Sequence, residues 1–334
     1  MSFTPGSLMV HLSVASFLGL AVVSGLVGLL AIRNPACRAL LFAWVLIAPV
    51  LAFSVHSVAP RECSVLPGIS YWAHLACVAG RWLGLAGLAI MGAGLLVVLA
   101  QTGATLIMCH RLVSTSTPAG KVPGGGDAGG VASGGSGSVS SSAAQPAVAA
   151  LAEICAGAGV ERPRLLLTRL NGVCCTIGVF RPSVVLSRDL CGALEPDELR
   201  AVLAHEVAHI TRHDNALGLV AGVLRALTFF SPAAHYALSR YLVEREKAAD
   251  DLAVALSGDA VALASGLLKV YRARETRLQP KVLVEVAATG EGLKGRIRRL
   301  LAPDENAARG PVRLQTWRAS AVAVLVLVLT LYLC

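Results

Sequence analysis

Three stretches of this chain, Val10–Ile32, Ala39–Ala59 and Trp82–Cys109, contain no Asp, Glu, Lys or Arg. Each is at least as long as the roughly 20 apolar residues that cross a bilayer as a helix. A chain with three such runs cannot fold as one small water-soluble domain, and lipid is the simplest solvent for them. The rest of the composition agrees, because charged residues make up 15% of the 334 residues against about 25% in a typical soluble domain. The first run lacks a basic front end and its apolar core is too long for a cleaved leader, so it reads as a retained anchor. A fourth run, 319–334, is shorter. At about 1.5 Å per residue it reaches roughly 24 Å, and it reads as a fourth span.

The net charge of +9 raises the question of nucleic acid. No dense basic tract with interleaved aromatics is present, so no direct nucleic-acid binding is expected, and the charges are read as orienting the spans. Arg33 and Arg38 crowd the first short loop, which makes that loop cytoplasmic. The N-terminus and the loop around Arg61 to Arg81 are then outside, and everything from His110 to the fourth run faces the cytoplasm. The expected location is the plasma membrane.

The organisation along the chain follows from composition. Residues 1–112 form a membrane domain with spans at about 10–32, 39–59 and 82–109. Residues 113–146 are dominated by Gly, Ser and Pro, a flexible tether with a root-mean-square reach on the order of 30 Å. Residues 147–303 have the composition of a folded α+β unit, and 304–334 carry the fourth run. Within the α+β unit, 146–157 reads as a short helix, and "RLLLTRL" (164–170), "GVCCTIGVF" (172–180) and "SVVLS" (183–187) as strands, with Arg181-Pro182 as a turn. The apolar stretch 215–230 is interrupted by Arg225 and fits a buried or interfacial helix better than a span.

One segment stands out against this background. "EPDELRAVLAHEVAHITRHD" starts with Pro196 at a helix N-terminus and places Asp197 and Glu198 in the first turn, where they complement the helix dipole. On that helix, His205 and His209 are four residues apart and so lie one above the other. Two imidazoles on one helical face suit zinc, and Glu206 sits where it can take a proton from a water at the ion's open position. A third ligand is needed. The second-turn histidine pattern fails, because positions 212 and 215 are Arg212 and Asn215. His213 reads as a surface residue or one that supports a ligand. Downstream, 239–258 is a strongly helical stretch ending at Gly258, and Glu246 and Asp250 share one of its faces. A carboxylate from this second helix would complete a two-histidine, one-glutamate site, and an Asp one turn on can hold a ligand imidazole by its second nitrogen.

These segments, "VLAHEVAHITRHDN", "FFSPAAHYALSRYLVEREKAADD" and "GLKGRIRRLLAP", resemble the BlaR/MecR-type integral-membrane zinc metallopeptidases, gluzincins related to HtpX and the CAAX-protease group. The resemblance covers 160–303 well and the preceding spans loosely. It implies a multi-pass α-helical membrane protein with a cytoplasmic α+β gluzincin-like zinc peptidase domain. It also implies one catalytic Zn²⁺ held by His205, His209 and Glu246, with Glu206 as general base and Asp250 supporting a ligand. The implied activity is hydrolysis of peptide bonds in protein substrates, the chain itself or a cytoplasmic repressor among them, in regulatory proteolysis. The best-known members carry an extracellular penicillin-binding sensor after the last span. This sequence is expected to lack it, so β-lactam sensing is not carried over. Two other functions stay open, an HtpX-like quality-control protease and a non-catalytic membrane sensor or scaffold.

Three details complete the expectations. His235, Arg240 and Arg245 are all candidates for stabilising the oxyanion. The strand holding Cys174, Cys175, Thr176 and Ile177 is expected to offer an edge to which an extended substrate peptide can add. Nine cysteines form no CxxC pair, which argues against a zinc finger or a redox motif, and Cys63 and Cys77 in the second loop are either a disulfide or two free thiols.

Overall fold

A computed structural model describes residues 5–58, 84–119, 144–275, 290–302 and 312–333. The second loop with Cys63 and Cys77, and the tether from 120 to 143, lie outside the described residues. The structure is mostly helical, with one small mixed sheet. The helices are α1 (Pro5–Leu29), α2 (Pro35–Val58), α3 (Gly84–Thr115), α4 (Gln145–Ala158), α5 (Arg188–Ala193), α6 (Pro196–Thr211), α7 (Asp214–Leu227), α8 (Pro232–Ser257), α9 (Ala260–Glu275), α10 (Gly290–Leu301) and α11 (Val312–Leu333). The strands are β1 (Thr117–Pro118), β2 (Arg164–Thr168), β3 (Cys174–Ile177) and β4 (Ser183–Ser187).

The chain divides into two compact units, and they do not follow chain order. One comprises 1–102, 218–248 and 308–334; the other comprises 103–217 and 249–307.

In the first unit α1, α2 and α11 pack on one another. Windows Leu12–Leu29 and Pro35–Ala52 are long and apolar enough to cross a membrane, and Thr316–Leu331 is a shorter apolar stretch. Arg318, in the second turn of α11, donates to the carbonyl of Leu30 at the end of α1 (2.9 Å). Farther along, a Cβ on Gly19 would lie 3.6 Å from Val326 and 3.9 Å from Val45. The start of α11 therefore meets the end of α1, so the two run antiparallel. Residues 218–248, read from the sequence as part of the α+β segment, group here for a physical reason. Ala221 and Leu224 of α7, and Ala234, Ala237 and Tyr241 of α8, are buried in the same apolar cluster as Leu41, Val45 and Val322. The charge in the last turn of α7 is matched by a polar neighbour, since Arg225 donates to the Gln101 side chain of α3 at 2.5 Å. Glu244 is buried among three cations, Arg38 at 3.3 Å, Lys247 at 3.1 Å and Arg240 at 3.5 Å.

The second unit is built on a sheet of order β1-β2-β4-β3. The β2–β4 pair is parallel and the outer two are antiparallel. The short β1 pairs Thr117 with Leu167 inside what the sequence reads as tether. Against the sheet lies α6, packed between α4 and α9 and touching β3. Its core face is apolar: Leu199, Val202, Leu203 and Val207 are buried. Contact with α9 is close because α9 offers Gly266, where a Cβ would meet Val202 at 2.7 Å. The start of α6 is fixed by a capping box. Glu195 accepts from the first turn, and Glu198 returns the bond to the Glu195 N–H at 2.9 Å. Burial would raise the Glu198 pKa. Hydrogen bonds from Lys269, Ser265 and the Glu195 backbone outweigh it and hold the carboxyl below its ordinary value.

Candidate metal centre

The two histidines and the glutamate of the motif occupy the inner turns of α6, where His205 and Glu206 are buried and His209 is half-buried. Helical stacking brings the rings together, with their centroids 4.7 Å apart and the Nε2 atoms 3.2 Å apart. The other ring nitrogens face carboxylates. His205 Nδ1 lies 3.2 Å from Asp250 Oδ1, and His209 Nδ1 lies 2.7 Å from Asp214 Oδ2. With the proton on the nitrogen that faces the carboxylate, each ring in its neutral form would turn its Nε2 lone pair toward the other. Two lone pairs aimed at each other repel unless a cation lies close by, and the Arg296 Nη2 stands 3.4 Å from His205 Nε2 on one side of the pair. Tetrahedral zinc with Zn–N bonds of about 2.0–2.1 Å would set two nitrogens about 3.3 Å apart, close to the separation found. The donor set fits the ion.

Glu246 and Asp250 are one turn apart on α8, a single unbroken helix inside which the cut between the two units falls. One ligand atom each from His205, His209 and Glu246 lie within 4.8 Å of one another, the single such group among the described residues. Arg245 donates to Glu246 at 2.8 Å. Asp250 has no exposed surface and is gripped by Arg296 of α10 through two bonds, Nε to Oδ2 at 2.8 Å and Nη2 to Oδ1 at 2.7 Å. Burial would raise the Asp250 pKa, but the Arg296 charge and the hydrogen bonds from His205 and Arg296 bring it down to about 2. The carboxylate is therefore ionised and able to orient His205 across the whole range near neutrality.

Glu206 is held from the sheet. Thr176 on β3 places its hydroxyl 2.9 Å from Glu206 Oε2 and 3.1 Å from the Glu206 carbonyl. Cys174, two residues back on the same face, also faces Glu206; burial first and that carboxylate second push its thiol pKa well up. Cys175 points the other way and packs with Met108 and Leu112.

β3 is at an edge of the sheet. Val173 accepts from the Ser187 N–H at 2.7 Å, so by alternation residues 172, 174, 176 and 178 turn their main-chain groups outward. Their carbonyls are already engaged. Arg274 donates to Gly172 O at 2.9 Å and Cys174 O at 3.0 Å; Asn215 donates to Thr176 O at 3.3 Å and Gly178 O at 2.8 Å.

The remaining candidates are placed as follows. His213 is exposed and holds a positive φ of 54°, a turn that delivers Asp214 back to His209. His235 bonds the Phe229 carbonyl (2.6 Å) near the start of α8, eleven residues before Glu246, about 16 Å along the helix axis. Arg240 lies over the Phe42 ring at 5.7 Å and near Glu244. Of the three oxyanion candidates, only Arg245 contacts a member of the ligand group. Sequence reasoning missed Asp214 as a histidine partner and missed Arg296 altogether; the second left a trace only as one of several arginines in "GLKGRIRRLLAP".

The family model described as BlaR1 peptidase M56 matches residues 138–300. A protein described as protease HtpX homolog 1 from Streptomyces coelicolor is 33% identical over 148 residues, covering 33% of this chain and 45% of that protein. A protease HtpX homolog from Thermoplasma volcanium is 29% identical over 86 residues, 25% of this chain and 28% of that protein. The chain thus spans less than half the length of these curated relatives.

Proposed function

We propose, from the match of residues 138–300 to the family model described as BlaR1 peptidase M56, that the chain is a membrane-embedded, zinc-dependent endopeptidase acting on protein substrates in regulatory proteolysis. The observation that carries this reading is the pair of Nε2 atoms 3.2 Å apart, each ring backed by its own carboxylate. His205, His209 and Glu246 would hold the ion. Zinc, when bound there, supplies a Lewis acid that acidifies a water and polarises a carbonyl. The chain's residues do the rest. Asp250 and Asp214 fix the imidazole tautomers, Glu206 takes a proton on its carboxylate and returns it to the leaving amine, and Thr176 keeps that carboxylate from rotating away. A broad quality-control role, the alternative drawn from the HtpX-type relatives, rests on names alone and has no separate geometric support.

Zinc content and turnover of purified protein test this reading. Glu246→Gln removes an anionic ligand, so both bound zinc and peptide hydrolysis are expected to fall. Full zinc and full turnover in that variant would remove Glu246 from the ligand set. A second result is expected at Thr176. Thr176→Val keeps the strand and the volume but deletes the donor to Glu206; kcat should drop about tenfold with zinc unchanged, and Thr176→Ser should restore it. Equal loss in the Ser variant would show that the hydroxyl is not what matters.

The proposed topology places the N-terminus outside and the catalytic residues in the cytoplasm, in a multi-pass protein of the plasma membrane. A cysteine introduced in 120–143 should resist an impermeant thiol reagent in intact cells and react after lysis. Labelling before lysis would invert the orientation.

A further inference from the structure

At the end of the first unit where α1 stops and α2 and α11 begin, basic side chains collect around one buried carboxylate. Arg33 is exposed in the link between α1 and α2, and Arg38 sits in the first turn of α2. Arg318 of α11 reaches Leu30 at the end of α1. Arg240 and Lys247 of α8 arrive at the same place, since they and Arg38 converge on Glu244 at 3.5, 3.1 and 3.3 Å. Among the described residues of this unit the acids are Glu244 and Glu246, and Arg245 engages Glu246.

The position of Arg38 adds to the positive potential. A cation in the first turn of a helix opposes the helix dipole, whose N-terminal end favours an anion. Asn34 already accepts from the backbone N–H groups of Ala36 and Cys37, so α2 offers an anion charge here and not open main-chain donors. Arg38 keeps a donor in hand, because its Nε is buried with no hydrogen-bond partner among the described residues. The side chains of Arg38, Arg240 and Lys247 are 26%, 34% and 25% exposed. Glu244 holds them in place, yet each can be reached from outside.

The surroundings indicate which anion. The apolar stretches Leu12–Leu29, Pro35–Ala52 and Thr316–Leu331 all have one end here, which is the depth of the phosphate layer if they cross a bilayer. Trp317 is 76% exposed at the same end, and tryptophan is enriched at that depth. We propose that Arg38, Arg240 and Lys247, with Arg33 beside them, form a site for a phosphate group, that of an anionic phospholipid at the edge of the bilayer. Guanidinium groups pair with phosphate through two parallel hydrogen bonds, and basic pockets between membrane helices take lipid headgroups. A zwitterionic lipid brings its own cation and gains less. The inference rests on the membrane-embedded part of the proposed function and is independent of the peptidase chemistry.

The test uses the full-length protein in detergent, titrated with phosphatidylglycerol, phosphatidylcholine or inorganic phosphate, with bound lipid read by native mass spectrometry. Phosphatidylglycerol should bind at least about tenfold more tightly than phosphatidylcholine. Arg240→Gln and Lys247→Gln should each weaken phosphatidylglycerol about fivefold and leave phosphatidylcholine unchanged. Each variant leaves Glu244 with two cations, so folding is preserved, and the melting midpoint without lipid checks this. Arg298→Gln, an exposed cation on α10 in the other unit, should change nothing. No preference for phosphatidylglycerol, or an equal loss in Arg298→Gln, would overturn the site in favour of diffuse surface charge. Inorganic phosphate that displaces the lipid at comparable concentration would overturn the lipid assignment and give the cluster to a soluble anion. Alkaline carbonate washing of isolated membranes separates the two readings. A chain that is stripped off loses the membrane reading and this site together, whereas a retained chain without lipid preference loses the site alone.

Discussion

Replacing Glu206 with Gln is expected to lower peptide turnover by about 10²- to 10⁴-fold, the range for losing a general base, while zinc stays bound. The amide keeps the shape and can still accept from Thr176, which lies 2.9 Å from Oε2, but it cannot take a proton. All three proposed ligands, His205, His209 and Glu246, remain. Metal stoichiometry and turnover measured on one preparation separate this outcome from a folding defect, which would remove both. Turnover within a few-fold of wild type would take Glu206 out of the proton-transfer role and leave the zinc site without an assigned base.

The second large effect concerns a residue that touches no proposed substrate position. Arg296→Met would strip both guanidinium hydrogen bonds from Asp250, which is fully buried, and leave it only His205 Nδ1 at 3.2 Å. Breaking a buried ion pair by removing one partner costs about 3–5 kcal/mol, since the remaining charge is left without compensation. A clear fall in the melting midpoint in detergent is expected. Zinc affinity should fall by about 10- to 100-fold as His205 loses a fixed partner. Adding Asp250→Asn should recover part of the stability but not the zinc affinity, because the amide removes the stranded charge and also the anion behind His205. The pH dependence has a definite sign. The pair lowers the Asp250 pKa from 3.8 to about 2. Its contribution is therefore fully present above about pH 4 and is lost as pH falls through about 2. A midpoint unmoved by Arg296→Met at neutral pH would show that water or another cation compensates Asp250.

How much of this was legible in the sequence depends on the distance along the chain between partners. His205, Glu206 and His209 are local to one helix, and helical spacing alone places them together; Glu246 and Asp250 share a face for the same reason. The strands were legible because short β-rich runs were bounded by Asn171-Gly172 and Arg181-Pro182. Asp214 was harder. It is only five residues from His209, but their contact depends on His213 taking a left-handed conformation, φ 54°, which no periodicity announces. Arg296 lies 46 residues beyond Asp250, on a helix whose other basic residues are spread over its exposed and half-buried faces, so composition could not single it out. Arg225 is why the sequence reads 215–230 as a buried or interfacial helix and not as a span, and nothing local to it announces the grouping of 218–248 with the N-terminal helices. Its charge is answered by Gln101, more than a hundred residues away.

The side chains that engage β3 have one more consequence, for the fate of the protein when many copies are crowded together. An edge strand with unengaged carbonyls is a template on which another chain can assemble, and repeated pairing of that kind leads to aggregates. Arg274 and Asn215 occupy those acceptors in every copy, and a guanidinium at the rim adds a like charge that neighbouring copies repel. The strand nearest the chemistry is thereby kept from becoming a nucleus for self-association in a protein that is already rich in apolar surface.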